Sequence, residues 1–377
     1  MAGIYIHIPF CKQACHYCDF HFSTSLKKKE EMLAGLKHEM ALRQNELDGG
    51  IIETIYFGGG TPSILEVDEI NDLIQTIYNL FEVNENPEIT LEANPDDLDK
   101  ATLYKLAESR MNRLSIGIQS FYEDDLKMMN RAHNSTEAIE CLEIATSLFD
   151  NISIDLIYGI PNMSNERWLS NVQRILDLGI PHISCYALTV EERTALNKLI
   201  KKGVIPSPEE EVAHQHFMLL IETLKSNGYI HYELSNFAKP GYYSKNNSAY
   251  WLGKKYLGIG PSAHSFDGVH RSWNIANNSL YIKDISEDKL PREIEELNLT
   301  DRYNEYIMTG LRTIWGVDLT RVEREFGKTY HDYLVKLSAS FLEEELMHKE
   351  GDILTITNKG KFLSDGIASD LFYLDLK

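Results

Sequence analysis

One unit recurs through the first 228 residues and constrains the fold more than any other feature: a short β-branched or aromatic run, a Gly/Pro/Asn turn, then a longer helical pattern. The strand runs are IYIHI (4–8), ETIYF (53–57), EITLEA (88–93), RLSIGI (113–118), ISIDLIY (152–158) and HISCYAL (182–188). Helical periodicity falls between or after them, at 28–46, 66–81, 98–110, 136–149, 166–178 and 208–227. Strands alternating with helices predict a parallel sheet whose crossovers share one hand, so every strand opens its C-terminal end on the same side. Six strands fall short of the eight of a closed barrel. The expected fold class is therefore α/β, a partial (β/α)6 TIM-like barrel over residues 1–228 with a wide lateral mouth. Chemistry should collect at the C-terminal strand edge.

After residue 228 the pattern changes. Residues 229–289 are rich in Tyr, Asn, Ser and Gly, too ordered in their aromatics for a linker, and read as an extension packed on the barrel mouth. Residues 290–377 form a separate module with helical patterns at 300–313, 318–326 and 330–346, a hairpin in DILTITNKGKFL, and a last helix. That order resembles a small C-terminal winged-helix-like α+β domain. Such modules often face DNA, but this one holds 11 Lys+Arg against 17 Asp+Glu, and the whole chain carries a net charge of -20. Nucleic acid is a poor partner for such a surface, and protein contact or substrate cover fits better. No stretch approaches the ~18 uninterrupted apolar residues of a membrane span, and the N-terminus lacks a signal-peptide pattern. The expectation is a cytoplasmic protein with no integral membrane span.

The segment YIHIPFCKQACHYCDFHF, residues 5–22, puts Cys11, Cys15 and Cys18 inside eight positions. Cys141 and Cys185 sit in apolar periodic segments where a small buried hydrophobe serves equally well, so no disulfide framework is expected. A zinc site completed by His16 or His21 is one reading of the three thiols. Zinc knuckles, however, usually come as paired CxxC halves far apart in sequence, whereas CxxxCxxC packs all three sulfurs on one loop. A [4Fe-4S] cluster needs four ligands, normally all thiolates, so three leave one iron open. The amino and carboxylate groups of an amino acid can chelate that iron. S-adenosylmethionine offers both, beside a sulfonium that one electron from the cluster can cleave. Spacing and chemistry together resemble the radical S-adenosylmethionine superfamily.

Other residues at the same edge suit that cofactor. GGGTP (58–62) lacks side chains where backbone must come against a ligand. Glu92, Gln119, Arg131 and Asp155 stand at or beyond successive strand ends. A zwitterionic, ribose-bearing ligand needs a carboxylate for its ammonium, a cation for its carboxylate, and acceptors for two hydroxyls. Singly, each of these residues reads as a capping or solvated group. Their shared edge joins them.

With Tyr5, His7, the cysteine loop, GGGTP, DLIYGIP (155–161) and Tyr186-Ala187 in order, the sequence resembles the oxygen-independent coproporphyrinogen III oxidase family almost end to end. The resemblance implies that Cys11, Cys15 and Cys18 ligate the cluster. It also implies that Tyr5, Tyr17, Gly59, Gly60, Thr61, Glu92, Gln119, Arg131, Asp155 and Ala187 surround the S-adenosylmethionine. The glutamate would face the ammonium, the arginine the carboxylate, and the glutamine and aspartate the ribose. Two departures separate this chain from the oxidases: Phe20 stands where they carry a further cysteine, and the first strand starts at about Ile4, without their N-terminal extension. Both features match the sister group, the HemW-type haem chaperones, which bind haem and pass it to acceptor proteins of the respiratory chain. That likeness implies haem or a porphyrin as ligand, a haem-acceptor respiratory protein as partner, and an electron donor of the reduced flavodoxin or ferredoxin type. An oxidase that decarboxylates porphyrinogen propionates is the alternative, with Lys239, Lys245, Lys254, Lys255 and Arg271 as the basic residues near the mouth. A redox-sensing winged-helix regulator is a third reading.

The chaperone group typically shows HNxxYW near the mouth, and here NNSAYW (246–251) places Asn246 where the histidine would stand. A neutral imidazole is a standard axial ligand for haem iron and an amide a poor one. His264, His270, His231 and His21 are the substitute candidates. Met128 and Met129 read as core packing.

Overall fold

The computed structural model describes residues 2–374. Six parallel strands, β1 (Ala2–Ile8), β2 (Ile52–Gly59), β3 (Val83–Ala93), β4 (Arg113–Gln119), β5 (Ile152–Tyr158) and β6 (His182–Ala187), pair in sequence order. The expected α/β partial barrel is present. Its logic is the two-residue period of a strand. Ile4, Ile6, Ile8, Ile55, Phe57, Ile89, Leu91, Leu114 and Ile116 are buried in one core with Met32, Leu36, Ile70 and Ile74 of the covering helices. The alternate residues, among them Tyr56, Glu92, Ser115 and Asp155, bond one another across the barrel interior.

Residues 229–289 supply strands to both flanks of the sheet and a helix to its N-terminal end. β7 (Ile230–Glu233) and β8 (Asn236–Ala238) extend the sheet antiparallel from β6. On the other flank β9 (Lys255–Ile259) joins β1 in parallel, followed by β10 (His264–Phe266), β11 (His270–Asn274) and β12 (Arg292–Glu296). An open barrel has two edges of unpaired N–H and C=O groups, and these short strands cover both. Between the flanks, the helix Lys245–Trp251 plugs the N-terminal end of the barrel. The Glu88 carboxylate accepts the Lys245 and Asn246 backbone N–H groups at 3.0 Å each, and Asn246 Oδ1 accepts from Thr54 Oγ1 at 2.9 Å. Thr54 lies five residues before the end of β2, so this floor is about 16 Å below the strand ends at ~3.3 Å per residue.

The C-terminal module has its own core around Tyr303, Ile307, Val322 and Leu354. Helices Leu299–Leu311, Leu319–Phe326 and Lys328–Glu343 surround β13 (Val317–Asp318), β14 (Met347–Glu350) and β15 (Ile353–Ile356), which pair in the order β13–β15–β14. The hairpin therefore starts one strand earlier than DILTITNKGKFL suggested. Gly351, at φ +58°, makes the turn, a conformation cheap for glycine, while Lys361–Leu363 is a 3-10 helix.

Candidate cofactor site

The cysteine loop leaves β1 at Pro9 and is bolted down on three sides. Cys11 N–H donates to Ser23 O (3.1 Å) and Ser23 N–H to Pro9 O (2.9 Å), closing the loop on itself. His16 N–H donates to Met129 O (3.0 Å), and its ring Nδ1 pairs with Met128 O (2.8 Å). Gln13 Nε2 donates to Asn130 O and Asn130 Nδ2 to Ala14 O. Lys12 pairs with Asp96 and Asp97 of the NPDD turn. Met129 is buried in the core and Met128 packs against it, as expected, while their carbonyls also hold His16, whose Nδ1 struts the loop.

GGGTP passes directly against this loop. Gly60 N–H donates to Ile8 O (2.9 Å) and Thr61 N–H to Phe10 O (2.7 Å). A Cβ on Gly60 would come within 2.6 Å of the Phe10 carbonyl oxygen. Gly59, at φ +103°, would set a Cβ 2.5 Å from the His7 ring. No larger residue fits at either position.

These segments and the ends of β3–β6 enclose a cavity of about 460 Å³. Cys11, Cys15, Cys18, Tyr17, Gly59, Gly60, Thr61, Glu92, Gln119, Arg131, Asp155 and Ala187 all line it. Tyr5 is the exception among the predicted residues: it lies beneath, stacked on Tyr56 at 6.1 Å between centroids. A register shift between Gly117 and Gln119, with Gln119 at φ +67°, turns the glutamine into the mouth. Asn94, Ser115 and Gly117 were not singled out from sequence. Asn94 Oδ1 accepts from Arg131 Nη2 at 2.6 Å, and its place in the NPDD turn was the available signal. Phe20 stands on the rim, 68% exposed.

Buried ionisable groups crowd the cavity wall. All three thiols are free, and burial pushes Cys11 up to about 11 against a Thr61 hydrogen bond. Among the described residues no group of three or more His, Cys, Asp or Glu side chains is arranged round a single metal ion. Cys11, Cys15 and Cys18 all face the same cavity. Glu92 accepts from Tyr56 Oη (2.8 Å) and Gly59 N–H (3.3 Å), yet burial, with the Asp155 charge adding to it, raises it to about 7. Burial likewise raises Asp155 to about 6, with Arg113 the first opposing influence. Arg131 Nη1 reaches Cys15 Sγ and Tyr17 Oη at 3.3 Å each, and Nη2 reaches Gly117 O at 2.7 Å. Its Nε is buried with no partner among the described residues. With acceptors for both Nη atoms in Cys15, Tyr17, Asn94 and Gly117, the guanidinium is fixed at the cavity wall.

The residues proposed for haem fall outside this cavity. Asn246 is 3% exposed in the barrel floor, so the NNSAYW segment does not sit at the mouth. His231 has both ring nitrogens engaged, by Lys361 Nζ (2.6 Å) and Leu234 O (3.0 Å). His21 Nε2 bonds Asn278 Oδ1 and His270 Nδ1 bonds Asp267. His264 is exposed on β10 beside Trp273, with no side-chain hydrogen bond among the described residues. The basic residues expected at the mouth are likewise absent from the cavity wall: Lys245 starts the floor helix, Lys255 pairs with Asp48, and Arg271 pairs with Glu305.

Residues 5–175 match the Radical SAM superfamily and residues 297–363 the HemN C-terminal domain, so the fold and site define a radical SAM protein with a HemN-type C-terminal module. The chain is 32% identical to Heme chaperone HemW of Bacillus subtilis (strain 168), over 97% of this chain and 98% of that protein. To Heme chaperone HemW of Lactococcus lactis it is 32% identical over 98% and 97%. It belongs to the HemW family. Coproporphyrinogen III oxidase (HemN) from Escherichia coli superposes with a TM-score of 0.85 over 98% of this chain and 90% of that one, at 24% identity, which shows a shared fold.

Proposed function

We propose that Cys11, Cys15 and Cys18 hold a [4Fe-4S] cluster, that S-adenosylmethionine takes its open iron, and that the protein binds haem and delivers it to an acceptor protein. The observation that carries this reading is convergence: twelve of the thirteen residues picked out by sequence line one cavity at the C-terminal strand edge. When bound and reduced by a flavodoxin- or ferredoxin-type donor, the cluster supplies one electron toward the sulfonium. The chain's own residues bind and orient. Glu92 receives the ammonium, Arg131 the carboxylate, and Gln119 with Asp155 the ribose hydroxyls. Gly59 and Gly60 let the backbone come close.

The haem step rests on the relatives' names and on the exposed, unbonded His264 ring. Partial desolvation of the ring, with the Arg271 charge adding to it, lowers the His264 pKa and favours the neutral imidazole that can ligate iron. A decarboxylase acting on several propionates would need several cations at the site. Among the described residues lining the cavity, Arg131 is the one cation, against Asp19, Glu92, Asp155 and Glu191. Haem titration followed by Soret absorbance, on wild type and His264→Ala, tests the chaperone reading: saturable binding is expected, weakened in the variant. Wild type that binds no haem, or that forms protoporphyrinogen anaerobically from coproporphyrinogen III above background, overturns it. Binding unchanged in the variant removes His264.

A further inference from the structure

Below the cavity, on β2, one tyrosine spends its hydroxyl on the site above it. Tyr56 is 7% exposed and lies between the core residues Ile55 and Phe57, so by alternation its ring faces the barrel interior. Parallel pairing sets Tyr5, Tyr56 and Thr90 on one rung of β1–β3 and puts Glu92 two residues further along β3. Gly58 is what lets the two levels touch. A Cβ there would lie 3.0 Å from Glu92 Oε1, 3.0 Å from Tyr56 Cε1 and 2.9 Å from Tyr5 Cε2. Through the gap that the glycine leaves, Tyr56 Oη donates to Glu92 Oε1 at 2.8 Å, while Gly59 N–H donates to Oε2 at 3.3 Å.

Among the described residues no other side chain donates to Glu92. Tyr5 is stacked on Tyr56, 6.1 Å between centroids at 24°, but its hydroxyl goes to His7 Nδ1 at 3.3 Å. His7 Nε2–H donates to His21 O at 2.9 Å, and burial lowers the ring's pKa to about 4, which leaves Nδ1 unprotonated to accept. Asp155 on β5 and Arg113 on β4 act on Glu92 through charge alone, and Tyr186 on β6 and Tyr250 of the floor helix are phenols kept neutral by burial. Without Tyr56, only the longer Gly59 contact would hold the rotation of this carboxylate. A carboxylate that receives an ammonium must present its lone pairs in one direction, and a donor fixed on its far side sets that direction. We propose that Tyr56 is a positioning residue for the cofactor: its hydroxyl fixes the rotation of the Glu92 carboxylate, holding the remaining lone pairs toward the cavity to receive the ammonium of S-adenosylmethionine. Tyr56 lies outside the cavity wall and acts only through Glu92. The proposal rests on the reading of the cavity as an S-adenosylmethionine site.

Tyr56→Phe removes the hydroxyl and keeps the ring. In the apo protein the Glu92 carboxyl infrared band, assigned by subtraction against Glu92→Gln, is followed with pH. A phenol donor favours the charged carboxylate, so its loss should raise the titration midpoint by about one pH unit. S-adenosylmethionine affinity of the anaerobically reconstituted protein should fall about tenfold at pH 7 in Tyr56→Phe. In a Glu92→Gln background the same substitution should cost nothing further, a coupling that general loosening of the barrel would not produce. An unmoved Glu92 midpoint, unchanged affinity in Tyr56→Phe, or an equal loss with and without Glu92 overturns the proposal. If Tyr56→Phe does not fold, Tyr56→Met takes its place in every measurement, with the same results overturning the idea. Wild type that fails to bind S-adenosylmethionine sinks the site reading instead, and the apo titration still decides whether Tyr56 holds Glu92.

Discussion

Two clusters of buried charge lie on opposite faces of the same sheet, and they are built to opposite rules. Behind β1, Glu39 (0% exposed) and Arg43 (1% exposed) sit between the helix Lys29–Leu42 and β9–β11. Arg43 donates to Glu39 Oε1 (2.7 Å), Gly258 O (2.8 Å), Ser265 Oγ (2.9 Å) and Glu46 (3.0 Å). Glu39 also accepts from Gly260 N–H, Tyr281 Oη and Asn274 Nδ2. Inside the barrel, Glu92, Asp155, Arg113 and Arg131 are left with orphan donors or strained carboxyls. A closed network holds the extension to the barrel and has no capacity for a ligand. The open one leaves buried donors without acceptors and buried carboxyls raised toward their neutral forms.

Substitutions should separate the two clusters sharply. The largest effect belongs to the open side: Cys15→Ser should reduce iron and sulfide in anaerobically reconstituted protein to a small fraction of wild type, with thermal unfolding of the apo form scarcely moved. On the closed side, Glu39→Ala leaves Arg43 with only the half-buried Glu46 carboxylate and strips Gly260, Tyr281 and Asn274 of an acceptor, and should cost about 3–5 kcal/mol in urea unfolding. Glu92→Gln should do the reverse to the apo protein. The folded carboxyl, at about 7, holds a proton that the unfolded chain releases near 4.5, so native stability falls as pH rises through that window. The glutamine removes that loss. The variant should match wild type near pH 4.5, exceed it by about 1–3 kcal/mol at pH 8, and lose S-adenosylmethionine affinity. Ser265→Ala, which removes one acceptor from Arg43 and one from Gly258 N–H, should cost about 1–2 kcal/mol and leave cofactor binding unchanged.

The barrel strands and the site were legible because each rests on local signals. Alternation marked β1–β6, and CxxxCxxC, GGGTP and the strand-end polar residues name positions that parallel topology must bring to one edge. What was not legible depends on long-range closure. Nothing local in NNSAYW says that its helix will be capped by Glu88 from 158 residues earlier and fill the floor. The sheet edges chose where residues 229–289 went. Arg113 opens the RLSIGI run and looks like a strand-end charge facing water; its burial appears only when six strands curl round it. Tyr5 and Tyr56 likewise reach each other through pairing of β1 with β2.

The most direct measurement is the low-temperature EPR spectrum of anaerobically reconstituted, reduced wild type with and without S-adenosylmethionine. A [4Fe-4S] signal whose g values shift on adding the cofactor is the expected result, since the ligand takes a vacant iron. A signal unchanged by S-adenosylmethionine, or one that persists when Cys11, Cys15 and Cys18 are all serine, would contradict it.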